Sequence, residues 1–325
     1  VAKLAGVSPS TVSRVLNDSS LVKEETETKV REAIKRLNYQ VNDSARVLRT
    51  NTSNLIGFIG AGMDNPFLTQ ILKGAESAAI QNEYNLIFGE TDGEKQQELN
   101  YLKIMKQKKI DGIIIISANL QSDLISEAKK SNIPVVFASG YVNDPELICI
   151  TVDNITAAYE VINYLFDNKY ENIAIIHGPK SDTVASGERL KGVRLAFKSN
   201  NKNLDYDLLE EGAFNFKSGF DAAQKLLSQK KDIDAIFAFN DQMAIGAIRA
   251  IEKSGLNVPD DIAVIGFDNI ELSKYISPSL STVDQSGFMI GEKSVTMLYD
   301  LINGNIIKNN KIYVPHELIL RDSTK

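Results

Sequence analysis

The stretch LAGVSPSTVSRVLN at residues 4–17 decides how the first part of the chain folds. Gly6 can adopt the left-handed conformation that ends a helix, Ser8 can cap a second helix, and Pro9 suits the first position of that helix. Three apolar residues share one face of this second helix: Val12, Val15 and Leu16. A third helix is expected over about Lys23–Leu37, where apolar residues recur at helical spacing. The pattern predicts a unit of three short helices.

The charge of the chain is unevenly distributed around its formal net value of −6. Residues 1–50 hold nine Lys or Arg and six Asp or Glu and carry +3, whereas the remaining residues hold 27 and 36 and carry −9. A small basic segment on an acidic body is typical of a protein that meets phosphates at one end. The pattern therefore favours a helix-turn-helix whose second helix lies in the major groove of DNA. An ordinary helical hairpin remains an alternative on the spacing alone.

From Leu55 onward, short aliphatic runs alternate with amphipathic helical stretches. Examples are LIGFI at 55–59, DGIIII at 111–116 and IAVIGFD at 262–268. Unbroken aliphatic strands separated by helices indicate parallel sheets covered on both faces. About ten strands are expected, which exceeds one comfortable doubly wound sheet, so the body is predicted to have two lobes. Ligands bind such folds at the carboxyl ends of the strands, in the cleft between the lobes.

The predicted fold class is α/β with an all-α head. The helix-turn-helix head is expected at 1–40, a hinge at 41–53 within a polar stretch, and a two-lobed body of doubly wound parallel sheets at 54–325. Lobe one is expected at about 54–152 and 282–311, and lobe two at about 153–281 and 312–325.

Several classes of protein are not expected. No window approaches the roughly 18 apolar residues of a membrane span, and the first residues lack the apolar run of a secretory signal, which predicts a cytoplasmic protein that is not in a membrane. Cys149 lies in the apolar run LICITV and is interpreted as a buried strand residue. A single cysteine forms neither an internal disulfide nor a zinc site. Because phosphate-binding, nucleophile-elbow and metal-ligand motifs are missing, we expect no enzyme, no metal and no cofactor.

The first residues carry a specific resemblance. VAKLAGVSPSTVSRVLN at 1–17, followed by LNY at 37–39 and ARVL at 45–48, resembles the lactose-repressor (LacI/GalR) family, and the resemblance covers essentially the whole chain. It implies a body like the periplasmic sugar-binding proteins and a DNA-binding repressor of carbohydrate-utilisation genes, controlled by a sugar or sugar phosphate in the interlobe cleft. It also implies a homodimer on a palindromic operator in the nucleoid, because two-fold operators need two-fold proteins.

The resemblance assigns roles on DNA. Three residues of the second helix would read bases: Pro9, Ser10 and Arg14. Arg14 is the best candidate because its planar guanidinium can donate twice to guanine, with a phosphate contact as the alternative. Five residues would hold phosphates: Ser8, Thr11, Ser13, Asn17 and Tyr39. Three hinge residues would enter the minor groove: Ala45, Leu48 and Arg49. Leu48 would wedge open a base step there, unless it merely anchors the linker to the body.

The resemblance also assigns an effector site, on motifs such as MDNPF at 63–67 and SGERLKG at 186–192. Eight residues are expected to line it: Asn65, Phe67, Ser117, Arg189, Phe214, Asn240, Asp268 and Gln285. Donors and acceptors fixed at strand ends suit sugar hydroxyls. A helix cap at Asn65 and a surface ion pair of Arg189 are alternatives. His177 ends a strand nearby and is interpreted as a structural histidine rather than a ligand contact.

The chain departs from the family pattern after PVVF. Ala138 and Ser139 stand where the family usually has Asp or Asn followed by Arg, so one polar ligand contact is expected to be missing. These residues and the closing VPHELILRDSTK resemble the catabolite-control members, whose corepressor is a phosphorylated phosphocarrier protein. MIGEKSVT at 289–296 lacks the contact pattern of those members, which favours a small-molecule effector. A transport-type binding protein would explain the body alone, but not the head and hinge.

Overall fold

The computed structural model describes residues 1–16, 21–39, 52–62, 64–117, 122–229 and 231–325. The chain separates into two compact units, residues 1–53 and residues 54–325. The division coincides with the end of the expected hinge. Among the described residues, no helix has the length and apolar character needed to cross a membrane.

The described part of the first unit is helical. Its helices are α1 (Ala2–Ala5), α2 (Pro9–Leu16) and α3 (Glu24–Arg36). Gly6 ends α1 with a φ of 67°, and the Thr11 N–H donates to Ser8 Oγ at 3.1 Å, which fixes the start of α2. Val12 and Val15 pack against Val30 of α3 in a small core. The expectations for the turn glycine, the cap and the apolar face of the second helix are confirmed.

The described residues of the second unit form two six-stranded sheets. The first sheet has the order β11-β5-β4-β3-β1-β2, and all its pairs are parallel. Its strands are β1 (Leu55–Gly60), β2 (Asn85–Glu90), β3 (Gly112–Ile115), β4 (Val135–Ala138), β5 (Ile148–Thr151) and β11 (Lys311–Tyr313). The central strands β3 and β4 are buried throughout, because helices cover both faces of the sheet.

The second sheet has the order β12-β10-β9-β8-β6-β7, and only the pair of β10 and β12 among these described strands is antiparallel. Its strands are β6 (Ile173–His177), β7 (Leu209–Glu211), β8 (Ala235–Ala238), β9 (Ala263–Phe267), β10 (Ser281–Asp284) and β12 (Glu317–Ile319). The helices of this unit are α4 (Pro66–Gln81), α5 (Lys95–Gln107), α6 (Ser122–Lys130), α7 (Asn154–Asp167), α8 (Ala185–Ser199), α9 (Phe216–Ser228), α10 (Asp241–Lys253) and α11 (Gly287–Ile302). Short 3₁₀ turns lie at Tyr206–Leu208 and Glu271–Lys274.

The strand pairing changes the expected lobe boundaries. β10 hydrogen-bonds to β9 in the second sheet, and β11 to β5 in the first. The chain therefore crosses between the sheets after β5, after β10 and after β11, so the last two crossings fall a few residues later than the expected positions at 282 and 312. The aliphatic pattern of a strand shows that it is buried, but it does not show which sheet edge offers free hydrogen-bonding groups.

Two helices approach each other closely beside the first sheet. A Cβ atom at Gly74 of α4 would overlap the carbonyl oxygen of Phe288, and one at Gly291 of α11 would overlap that of Ile71. Neither neighbour is a flexible side chain, so the backbones would have to separate. Glycine is therefore required at this crossing because no side chain fits between the helices.

We expect Gly74→Ala to lower the free energy of unfolding by about 1–3 kcal/mol, because an inserted methyl group forces the two helices apart. The control is Gly187→Ala in α8, where the nearest atom would lie at 3.6 Å, an ordinary contact. That variant should be unchanged or slightly more stable, since alanine favours helix. Urea denaturation monitored by circular dichroism measures both, and equal midpoints for the two variants would contradict the assignment.

Candidate functional site

The residues predicted to contact DNA lie at the start and on the outer side of α2. Pro9, Ser10 and Arg14 are exposed. Ser8 Oγ lies 2.7 Å from Ser10 Oγ and 2.9 Å from Thr11 Oγ1, so three hydroxyl groups cluster at the helix start. A helix N-terminus with exposed hydroxyl groups suits a phosphate oxygen.

Some of the residues predicted to contact DNA are described by the structure, and others lie outside the described ranges. Ser13 is half-buried, and Tyr39 is 44% exposed. Arg14 makes no hydrogen bond or ion pair with any described residue, so its side chain is free to reach outward. Four predictions fall on positions outside the described residues: Asn17, Ala45, Leu48 and Arg49.

The second unit contains a cavity of about 150 Å³ at the carboxyl ends of its parallel strands. All eight residues predicted to line an effector site border it: Asn65, Phe67, Ser117, Arg189, Phe214, Asn240, Asp268 and Gln285. The other described residues that line it are Ala61, Leu68, Ile71, Ile116, Ser139, Asp182, Val184 and Ala185. Residues beside the first sheet and residues beside the second sheet thus meet at one cavity.

Two asparagines of the cavity cap helices. Asn65 Oδ1 accepts from the Phe67 N–H at 3.0 Å at the start of α4. Asn240 Oδ1 accepts from the Met243 N–H at 2.9 Å at the start of α10, while its Nδ2 donates to the Phe214 carbonyl at 3.0 Å. The cap at Asn65 and its place at the cavity are therefore compatible, not alternatives. Each capping amide is held rigid and has only part of its hydrogen-bonding capacity left for a ligand.

Arg189 is buried, which rules out the surface ion pair. Its Nε donates to Asn154 Oδ1 at 2.9 Å, and its Nη1 donates to the carbonyl of Phe239. The guanidinium carbon lies 3.6 Å from the centre of the Phe267 ring, a cation–π contact. Burial lowers the pKa of Arg189 to about 10, which leaves the group cationic at neutral pH. The side chain is thus a fixed positive charge at the cavity wall.

Asp268 follows β9 with a φ of 128°, a backbone conformation that side chains rarely adopt. Gln285 Nε2 donates to its Oδ1 at 2.5 Å. Burial raises the pKa of Asp268 well above its usual value, the nearby Asp241 raises it further, and Arg189 and Gln285 oppose this. Strained backbone and a perturbed carboxyl group are typical of functional sites.

Asp241, the residue after Asn240, supports the cavity from behind. Its carboxylate is fully buried, accepts from the Ile270 N–H at 2.8 Å and accepts from Thr282 Oγ1 at 2.5 Å. These bonds fasten the loop after β9 to β10. Asp241 therefore supports the loop that carries Asp268, while the neighbouring asparagine caps the helix.

Phe214 occupies its position because Gly178 lacks a side chain. A Cβ atom at Gly178 would overlap the Phe214 ring. Phe214 itself has a φ of 55°, which its surroundings must stabilise. An aromatic face at this point can pack against the apolar side of a sugar ring.

Sequence reasoning missed Asp182 as a cavity residue, while the missing polar ligand contact at Ala138 and Ser139 stays a prediction. Asp182 is 5% exposed and accepts from the N–H groups of Val184 and Ala185 at 3.0 and 2.8 Å. An Asp shortly before a helix start was the available signal. Ser139 lines the cavity with a φ of 55°, so this position keeps a polar side chain there, although the adjacent Ala138 is buried in β4.

His177 does not border the cavity. It is 6% exposed at the end of β6, and its Nδ1 lies 2.6 Å from the Gly178 carbonyl oxygen. The interpretation as a structural histidine is confirmed. Cys149 is likewise buried in β5, as expected.

The buried carboxyl groups predict how stability depends on pH. Burial raises the pKa of Asp241 to about 6 and that of Asp268 above the usual value, so the folded chain keeps protons that the unfolded chain loses above about pH 4. These groups therefore make the free energy of unfolding fall as pH rises from about 4 to 6. Asp268→Asn should become progressively more stable relative to wild type across this interval, by at most about 1.4 kcal/mol per pH unit.

Urea denaturation at several pH values measures this difference. Asp232→Asn is the control, because Asp232 is exposed and lies outside the cavity. Its curve of unfolding free energy against pH should run parallel to that of wild type. A parallel curve for Asp268→Asn would show that its carboxyl group is not protonated in the folded chain.

Comparison with known proteins fits this geometry. The model of the LacI family of bacterial regulatory proteins matches residues 1–42, and the model of periplasmic binding proteins and the sugar-binding domain of the LacI family matches residues 53–322. Catabolite control protein A of Priestia megaterium is 34% identical over 325 residues, covering 100% of this chain and 98% of that protein. The transcriptional repressor PurR of Histophilus somni (strain 129Pt) is 35% identical over 326 residues, with coverage of 100% and 98%.

Solved structures match over almost the full length. The Lac repressor dimer bound to operator and the anti-inducer ONPF superposes with a TM-score of 0.90 at 29% identity, covering 99% of this chain and 97% of that one. The complex of the transcriptional regulator CelR with cellobiose gives 0.78 at 27%, covering 99% and 98%. The chain therefore belongs to the LacI family of bacterial regulatory proteins and is a DNA-binding transcriptional regulator, not an enzyme.

Proposed function

We propose that this protein is a homodimeric, cytoplasmic repressor of carbohydrate-utilisation genes whose affinity for operator DNA is set by a small sugar-like effector. The observation that carries the proposal is the cavity of the second unit, where Arg189, Asp268 and Gln285 present fixed donors and acceptors beside the Phe214 ring. Rigid polar groups with an aromatic face are what a polyhydroxylated ring requires.

On DNA, we assign base reading to Pro9, Ser10 and Arg14. The exposure of all three and the free guanidinium of Arg14 support this assignment. Phosphate contacts fall to Ser8, Thr11, Ser13, Asn17 and Tyr39, and minor-groove contacts to Ala45, Leu48 and Arg49. Phosphate contacts fix the register and base contacts give specificity.

The effector would act by favouring one arrangement of the two halves of the body. The cavity is lined from both sheets, and Gln70 of α4 donates to the Asn269 carbonyl after β9 at 3.1 Å, so the halves already share a contact there. A ligand that binds one arrangement more tightly shifts the population toward it. A coupling of about 1–3 kcal/mol between the cavity and the DNA-binding head would change operator affinity about 5- to 150-fold.

A protein corepressor is the second candidate, favoured by the 34% identity to catabolite control protein A. In that case the partner would be a phosphorylated phosphocarrier protein. Pull-down with such a protein tests this candidate directly.

Fluorescence anisotropy of the full chain with a pool of palindromic duplexes, with and without a panel of sugars, tests the proposal. Selection of a palindrome whose affinity changes with one sugar is expected. Selection that no sugar changes would favour the protein corepressor. Weak, salt-sensitive binding without sequence preference would overturn the assignment as a specific regulator.

We expect Arg14→Ala to abolish selection among palindromes, at a cost of about 1–3 kcal/mol in operator binding, because a bidentate contact to guanine is lost. Sugar binding should be unchanged. The matched control is Lys198→Ala, which removes an exposed cation from α8 of the body. Equal loss in the two variants would mean that Arg14 contributes only general charge.

Asp268→Ala should give the opposite result, losing the response to sugar while DNA affinity is retained. The carboxyl group faces the cavity and is remote in sequence from the head. Operator titrations with and without the sugar measure the response. Asp268→Asn, which keeps an acceptor oxygen for Gln285, separates loss of the site from loss of folding, and its intact response would argue against recognition by the charge.

A further inference from the structure

Three helices begin at the wall of the cavity. α4 begins there beside Asn65, α8 beside Asp182 and α10 beside Asn240. The free N–H groups of a helix start attract anions, and convergent starts at strand ends are a common way to hold phosphate. The content of this cavity therefore depends on whether those N–H groups are free.

Side chains of the chain itself already accept from one N–H group of α4, one of α10 and two at the start of α8. Asn65 accepts from Phe67 of α4, and Asn240 accepts from Met243 of α10. At α8 the acceptor is a carboxylate, because Asp182 Oδ1 takes the N–H groups of both Val184 and Ala185. A carboxyl oxygen of the chain thus stands where a phosphate oxygen would otherwise bind.

The charged side chains that line the cavity also disfavour an anionic ligand. Asp182 and Asp268 border the cavity with a single cation, Arg189, and no lysine is among the described residues that line it. Two groups of that cation, Nε and Nη1, already donate to protein oxygens. An incoming anion would meet two carboxyl groups and a guanidinium that is largely engaged, so it would be desolvated without adequate compensation.

Hydroxyl groups meet no such penalty. A hydroxyl can donate to Asp182 or Asp268 and accept from the remaining N–H groups of Arg189. Among the described residues, no side chain hydrogen-bonds to Asp182, although its carboxyl group is buried at the cavity wall. The volume of about 150 Å³ also matches a cavity that holds one six-membered ring, well below the roughly 300–1,000 Å³ of sites for larger ligands.

We infer that the effector is an uncharged, polyhydroxylated molecule of one ring, and that Asp182 is the residue that excludes phosphorylated or carboxylated ligands. This inference rests on the proposed function and narrows it, since the resemblance alone allowed a sugar phosphate. Asp182 acts as a specificity-determining residue through its charge and through its occupation of the α8 amides.

The test compares uncharged rings with their phosphate esters. Common pentoses and hexoses, each beside its own phosphate ester, are titrated into the full chain, and thermal shift and calorimetry report binding. Wild type should bind at least one uncharged member, and bind it at least about tenfold more tightly than its ester. Asp182→Asn keeps an acceptor oxygen for the helix amides but removes the carboxyl group. It should lower the ratio of the affinity for the uncharged ring to the affinity for its ester by at least about tenfold.

Asp153→Asn is the matched control. Asp153 also accepts an N–H at a helix start, that of Thr156 at 3.0 Å in α7, but it does not line the cavity. Its ratio should equal that of wild type. The inference is overturned if wild type binds a phosphate ester more tightly than the parent ring, if no uncharged ring binds, or if Asp182→Asn keeps the wild-type ratio.

These results are separable from the proposed function. A wild-type protein that selects a palindrome but responds only to phosphate esters remains a regulator and contradicts the inference alone. A protein that discriminates rings from esters but selects no DNA would contradict the regulator assignment and leave the role of Asp182 standing.

Discussion

A guanidinium group withdrawn from water holds the second half of the body together around its cavity. Arg189 reaches from α8 to Asn154 at the start of α7, to the backbone after β8 at Phe239, and over the ring of Phe267 at the end of β9. Three elements thus converge on one cation. Removing it would take away the cation that lowers the pKa of both buried carboxyl groups, Asp182 and Asp268, which costs more than the loss of a surface contact. The geometry of the cavity wall follows from this constraint.

The cavity also shows how one residue can support the fold and face a ligand at the same time. Asn65, Asn240 and Asp182 each satisfy helix N–H groups that would otherwise be unpaired, and each borders the cavity. Because these bonds fix the side chains, little conformational entropy is lost when a ligand binds. At α8 the same bonds also engage two N–H groups that an anion could otherwise use. Rigidity and selectivity for uncharged ligands therefore have a common origin.

Backbone strain marks the other side of the site. Asp268, Phe214 and Ser139 all adopt positive φ angles at strand ends or in the loops beside them. These conformations persist because Gln285 and Asn240 hold two of them by hydrogen bonds. Positive φ angles at three residues of the cavity wall are consistent with a site whose backbone geometry is constrained.

The sequence by itself determined the local structure of this protein and the identity of most cavity residues. Gly6, Ser8 and Pro9 fixed the head because capping and turn chemistry act over a few residues. The aliphatic runs predicted the strands because a strand buried on both faces is apolar along its own length, which can be seen in the local sequence alone. The family motifs placed all eight predicted residues at the cavity, although which of them bind a ligand is still a prediction.

Only the tertiary structure decided the relations between distant segments. It placed β10 and β11 in opposite sheets, which depends on which sheet edges remain open. It buried Arg189 against Asn154 and Phe267, and it brought Asp182 to the wall, where a carboxylate closes the start of α8. Charge balance in a cavity is a sum over residues that meet only after folding. For that reason the sequence indicated a sugar-like effector, whereas the inference that the effector is uncharged depends on the folded cavity.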